Sequence, residues 1–487
     1  MRRIFVTQIF YSIYMKDKKF SVKHCVLLPL LLVVSVFLFV MPTGWFGIEG
    51  LTVVQQRTIA LFVFAAFMWI LEVVPAWATS IITMVLLIFT VSNGQFSFLS
   101  SAENLGTLVS YKDFMAQFAS PTIMLFMGGF VLAIAATKVG LDVVLAKVLL
   151  APFGKNPKTV LLGILLVVAV FSMFMSNTAT AAMMLAFLAP VLKNLPADGK
   201  GRIGLALAIP IGANIGGIGT PIGTPPNVIA LGYLKENLGI EIGFGEWCLK
   251  MVPFVIVMLL IAWFFLLLFF PFKAKEINLE IKADRKKDFR FWVVAVTFIV
   301  TILLWLIPEK RTGLNSYEVA LIPFAVFVVT GVFSKNDFKE INWDVLWMVA
   351  GGLALGTALM KTGLAKVLVE AIPFATMPAL VVIIVSGLVG YAIANFLSHT
   401  SAANLLLPIL ATVAAAVDLS AFGGSAALLV GLAISTSVAM ILPISTPPNA
   451  IASSTGLVGT KDMSKMGIIM GVVGLVLGYA VLIFIGF

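Results

Sequence analysis

Ser176-Asn177-Thr178 and Thr224-Pro225-Pro226-Asn227 break long apolar runs, and they are answered further along by Ser398-His399-Thr400 and Thr446-Pro447-Pro448-Asn449. Both pairs are offset by 222 residues, from 176 to 398 and from 224 to 446. Gly128-Gly129 and Lys138-Val139-Gly140-Leu141 return 223 residues on as Gly351-Gly352 and Lys361-Thr362-Gly363-Leu364. One polar break per half, in matching positions of a duplicated apolar chain, is the organisation of a secondary transporter whose site lies between the repeats.

Composition sets the class. Of 487 residues, 61% are hydrophobic and 11% charged, and mean hydropathy is +1.11. That balance predicts an all-α polytopic membrane protein. No stretch alternates with period two, as a transmembrane barrel requires. Cys25 and Cys248 support neither a disulfide framework nor a thiolate metal cluster, and His24 and His399 leave little for imidazole metal chemistry. The net charge of +10 lies at helix ends and in loops, so it reads as topology and not as a nucleic-acid surface. Arg2, Arg3, Lys16, Lys18, Lys19 and Lys23 precede an apolar run with no small-residue cleavage site, which predicts an uncleaved first span and a cytoplasmic amino terminus.

Eleven spans are expected, at 26–41, 58–74, 77–91, 119–138, 203–232, 252–272, 290–307, 318–333, 343–361, 425–455 and 466–487. Segments 158–193 and 378–417 would run to roughly 54 and 60 Å as single helices, almost twice a hydrocarbon core. Each is expected to be a re-entrant hairpin with its tripeptide at the tip, lining a cavity. Lys155 and Lys158 before the first hairpin, with Lys193, Lys200 and Arg202 after it, place its ends in the cytoplasm. The second hairpin has Asp418 after it and no base close by, so it opens outward. The chain thus divides into a first span (1–54), repeat 1 (55–272, unwound at 216–227), a basic cytoplasmic linker (273–290) and an inverted repeat 2 (291–487, unwound at 443–449). The carboxyl terminus falls outside. Loop 335–344, inside by this count, dissents with two lysines and three acids.

Prolines 221, 225, 226, 447 and 448 remove backbone donors, so the helices must unwind beside them. Unwinding frees carbonyls for cations and turns half-helix amino ends towards anions. The breaks offer hydroxyls, amides and one histidine, with no lysine or arginine. That suits a small hydrophilic anion bound moderately and released.

At these four motifs the chain, over about residues 55–487, resembles the divalent anion/sodium symporter family, whose INDY-like members carry dicarboxylates and citrate. The resemblance implies an eleven-span inverted-repeat fold, a homodimer with scaffold and transport domains, elevator-type alternating access, and a plasma-membrane location, inner in a bacterium. It also implies that Ser176, Asn177, Thr178, Thr224, Pro225, Ser398, Thr400, Thr446 and Pro447 surround the substrate carboxylates. A first sodium site would fall on Ser172, Ser176, Asn177 and the Gly223 carbonyl. The second departs from the symporter pattern, because His399 replaces an asparagine and Ala394 a hydroxyl residue. Sodium wants oxygen. The expectation is therefore sodium-independent exchange of dicarboxylates or tricarboxylates (2-oxoglutarate, succinate, malate), with protonated His399 as charge replacement or substrate ligand and no cofactor. Sodium-coupled symport is the alternative.

Polar residues in a membrane helix often serve only to glue helices together, but packing does not require the same break twice. His399 could equally be neutral and satisfied by a backbone carbonyl. The paired glycines read as close helix contacts. An anion channel would favour repeated rings, which the unlike Asn177 and His399 do not form. An enzyme would need more than one histidine without an acidic partner.

Overall fold

The computed structural model describes residues 26–196, 199–279, 287–371 and 377–487. The basic amino-terminal residues and Lys282, Arg285 and Lys286 of the linker lie outside them. The described residues form helices and no strand, with one isolated bridge between Ser92 and Val109. Helices of eight residues or more are α1 (Leu28–Val40), α2 (Val53–Leu71), α3 (Ala76–Thr90), α4 (Pro121–Val139), α5 (Leu141–Leu150), α6 (Pro157–Ser172), α7 (Asn177–Asn194), α8 (Gly201–Gly216), α9 (Pro225–Leu238) and α10 (Phe244–Phe269). The second half adds α11 (Phe289–Leu306), α12 (Leu321–Val329), α13 (Trp343–Lys361), α14 (Leu364–Ala371), α15 (Ala379–Ala394), α16 (His399–Ala416), α17 (Gly424–Ser437), α18 (Pro447–Ser454) and α19 (Thr460–Phe484).

The duplication is visible in the helices. α4, α6, α7 and α9 begin at 121, 157, 177 and 225, and α13, α15, α16 and α18 begin 222 residues later. Packing repeats too: α6 lies on α8 as α15 lies on α17, and α8 on α10 as α17 on α19. Among the described residues eight helices are long and apolar enough to cross a membrane, and shorter apolar helices accompany them. The all-helical membrane class expected from the sequence holds. Helices at the centre are enclosed, with 89% of an 18-residue stretch of Gly201–Gly219 buried, whereas α11 buries 28% and turns residues such as Val296, Ile299 and Leu303 outward. Such a surface suits a hydrocarbon surrounding.

Two details differ from the expected spans. Segment 318–333 is shorter than expected: helical residues Ser316–Val319 run through Ala320 into α12, and the helix ends at Val329. The short helices α5 and α14 were not expected; each follows a glycine, Gly140 or Gly363, whose positive φ ends the preceding helix and redirects the chain.

The repeats are sewn together crosswise. Lys138 at the end of α4 pairs with Asp337 just before α13 at 2.6 Å, and Lys361 at the end of α13 pairs with Asp113 just before α4 at 2.7 Å. Tyr233 Oη donates to Gly352 O at 2.6 Å, and Gln55 Nε2 to Thr362 O at 3.0 Å. α9 packs against α16, and α18 against α7, so the half-helix after each break supports the hairpin of the other repeat.

Gly351 lets α3 and α13 touch. A methyl group there would stand 2.7 Å from Ser80 Cα and 2.9 Å from Ser80 O, both backbone atoms. Gly351→Ala should therefore cost about 1–3 kcal/mol by overpacking. The unfolding midpoint of the purified protein should drop by several degrees, and an unchanged midpoint would refute the close approach.

Candidate functional site

Each tripeptide sits where a hairpin turns. α6 ends at Ser172, residues 173–176 reverse the chain, and Ser176 caps α7 with its Oγ accepting from Ala179 N at 3.2 Å. Likewise α15 ends at Ala394, and Ser398 Oγ caps α16 by accepting from Ser401 N at 3.1 Å. Serine is a preferred N-cap because its oxygen satisfies an orphan amide. Capping fixes both serines whatever else they bind.

The Thr-Pro-Pro-Asn strings open half-helices. Thr224 and Thr446 are the extended residues before α9 and α18, and the prolines take the first helical positions, where a missing N–H is harmless. Ahead of them the chain is unwound, and the asparagines turn back to hold it. Asn227 Nδ2 donates to the carbonyls of Gly217, Ile218 and Thr220 at 3.2, 3.4 and 2.9 Å. Asn449 Nδ2 donates to those of Met440 and Leu442 at 2.9 and 3.0 Å. Loop and hairpin are then tied: the Thr220 hydroxyl donates to Met173 O, and Ser445 Oγ to Asn395 O at 2.8 Å.

Four residues converge in repeat 1. Ser172 Oγ lies 2.7 Å from both Asn177 Oδ1 and Ala213 O. A methyl group on Gly217 would fall 2.7 Å from Asn177 Oδ1 and 3.0 Å from Gly223 O, and one on Gly223 would fall 2.9 Å from Ser172 O. One hydroxyl proton serves two acceptors there, so an oxygen-rich point is left that a small hard cation fits. Ser172, Asn177 and Gly223 of the anticipated set are thus together, while Ser176 is committed to its cap.

The counterparts in repeat 2 are Ala394, His399, Ala439 and Ser445. Ala394 and Ala439 are fully buried and form an apolar cluster with Ala402. His399 Nε2 lies 2.7 Å from Ala439 O, so this nitrogen carries hydrogen and donates to the carbonyl. The position of Asn177 is thus taken by an imidazole whose Nε2 is engaged by a backbone carbonyl.

The tips differ in access as well. Thr178 is exposed and Thr400 is buried. The first tip borders a cleft of about 340 Å³, with Met175, Ser176 and Ala179 on one wall and Lys138, Asp337 and Glu340 on the other. Pro225 is half-buried and Pro447 exposed at the two half-helix starts. Among the described residues no group of three or more His, Cys, Asp or Glu gathers as a metal site.

Sequence reasoning missed Asn214 and Asn395. Asn214 is the sole amide in the otherwise apolar run 203–215, a signal that was available. Asn395 Oδ1 accepts from Ile441 N at 2.9 Å and anchors the second unwound loop, a role with no local signal.

The family model described as "Sodium:sulfate symporter transmembrane region" matches residues 22–486. The sodium-dependent dicarboxylate transporter SdcS of Staphylococcus saprophyticus is 29% identical over 513 residues, covering 98% of this chain and 94% of the relative. SdcS of Staphylococcus aureus strain USA300 is 30% identical over 494 residues, covering 94% and 90%. Among solved structures, the Alcanivorax borkumensis YdaH transporter, described as having an unusual topology, superposes with a TM-score of 0.53 at 13% identity. That likeness covers 77% of this chain and 87% of YdaH, and it concerns the fold alone. The chain belongs to the sodium:sulfate symporter family of membrane transporters, the divalent anion/sodium symporters that its four motifs resemble.

Proposed function

We propose that this protein couples the uptake of small dicarboxylates, of succinate, malate or 2-oxoglutarate size, to the entry of sodium. The observation that carries the reading is the oxygen cluster of Ser172, Asn177, Gly217 and Gly223, which contains no basic side chain. The SdcS relatives, named sodium-dependent dicarboxylate transporters, support it. Sodium-independent exchange, the expectation drawn from Ala394 and His399, becomes the second reading. It keeps one observation in its favour, the closure of the second cluster by the His399–Ala439 hydrogen bond.

In this reading the dianion lies between Ser176-Asn177-Thr178 and Ser398-His399-Thr400, near Thr224, Pro225, Thr446 and Pro447. The amino ends of α7, α16, α9 and α18 supply positive potential without a fixed cation. Sodium in the first cluster orders Asn177 and the loop from Gly217 to Gly223, so ion and substrate raise each other's affinity. The repeats are inverted across a plasma membrane, with the amino terminus inside and the carboxyl terminus outside, and lysines 155, 158, 193 and 200 support that orientation of the first hairpin. Two copies form the working homodimer, and hairpins and half-helices move together as an elevator against the remaining helices.

Purified protein in empty proteoliposomes should accumulate labelled succinate when sodium is supplied outside, and choline should not replace it. Uptake that ignores sodium and requires internal succinate would establish exchange instead. Thr400→Ala should weaken succinate binding roughly 5- to 30-fold, the equivalent of about 1–2 kcal/mol for a charge-assisted hydrogen bond. Gly217→Ala, which places a methyl group against Asn177 Oδ1, should raise the sodium concentration for half-maximal uptake at least tenfold. Wild-type sodium dependence in that variant would remove the cation from this cluster.

A further inference from the structure

Asn214 belongs to α8 of the first repeat, yet its amide acts in the second. Its Nδ2 lies 3.2 Å from Thr446 Oγ1 and 3.3 Å from Asn449 Oδ1. The orientation is determined, because Asn449 spends its own Nδ2 on the Met440 and Leu442 carbonyls and so presents Oδ1 to Asn214. Thr446 Oγ1 accepts a second hydrogen bond from Asn449 N at 3.1 Å. A hydroxyl oxygen has two acceptor positions and one hydrogen. With both positions filled, the Thr446 hydrogen points away from Asn214 and Asn449, at a residue only 3% exposed and at the amino end of α18.

The first repeat lacks this arrangement. Thr436 stands where Asn214 would recur, and its hydroxyl returns to Ala433 O at 3.0 Å within its own helix. Thr224 caps α9 without a side-chain bond, and the buried Asn227 Oδ1 has no hydrogen-bond partner. The two threonines of the repeated motif are therefore not equivalent.

We infer that Asn214 is a positioning residue that presets the Thr446 hydroxyl as a hydrogen-bond donor to a substrate carboxylate. One repeat thus orients a ligand of the other, and the second-repeat threonine is the preset donor of the pair while Thr224 has no side-chain cap bond to orient it. The inference rests on the proposed role of Thr446 in holding a dicarboxylate.

The test is a double-mutant cycle on succinate binding to the full-length purified protein at saturating sodium, with wild type, Asn214→Ala, Thr446→Ala and the double variant. Each single substitution should weaken binding about tenfold, and the double variant should bind no more weakly than Thr446→Ala. In a Thr446→Ser background, which keeps the hydroxyl, the Asn214 effect should return. Asn214→Ser, too short to reach Thr446, serves in place of the alanine variant if the latter does not fold. Losses that multiply, or wild-type binding by Asn214→Ala and Asn214→Ser, would overturn the inference. Wild-type protein that binds no succinate with sodium would overturn the functional reading, and Thr446→Ala that binds like wild type would overturn the role of Thr446; the inference falls with either.

Discussion

Two helices that must unwind inside a membrane have to satisfy their freed backbone groups without water, and the amides of Asn227 and Asn449 meet that demand. Each asparagine, placed directly after two prolines, turns back on carbonyls seven to ten residues earlier in the chain. An unpaired carbonyl there would cost several kcal/mol in hydrocarbon. The proline pair forces the break and the asparagine makes it tolerable, so the four-residue string works as one unit. Loop-to-hairpin bonds from Thr220 and Ser445 then hold each tripeptide against its own unwound segment.

The repeats share this scaffold and differ in what they place in it. In the first, Ser172, Asn177 and two glycines leave an oxygen-lined point. In the second, Ala394 and His399 replace the Ser172 hydroxyl and the Asn177 amide oxygen, and the His399 ring donates to the Ala439 carbonyl. Duplication accounts for the common geometry, and divergence at 172/394 and 177/399 accounts for unequal chemistry. The same inequality appears at Asn214 and Thr436, where one repeat reaches across and the other does not. A site assembled from two unlike halves can bind one dianion between them while loading its cation on one side only.

Much of this was legible in the residues. The 222-residue offset, the excess length of 158–193 and 378–417, and the proline pairs point to hairpins and broken helices because each is a local impossibility for a straight span. Helices α5 and α14 were not legible, since they are too short to register as spans and owe their direction to the turns at Gly140 and Gly363. The Ala439 carbonyl that holds His399 was equally hidden, because a backbone acceptor leaves no mark in composition. For His399 the residues left open a charge in place of sodium, a substrate ligand and a neutral ring on a backbone carbonyl, and the hydrogen bond to Ala439 supports the last.

The central claim is that only the first repeat carries a sodium ion. Parallel uptake of labelled sodium and labelled succinate into the same empty vesicles gives the ratio of ions to substrate. The account predicts a ratio near one, with both fluxes failing together when the cluster at Ser172 is disrupted by Ser172→Ala. A ratio of two or more, with sodium flux surviving Ser172→Ala, would contradict it.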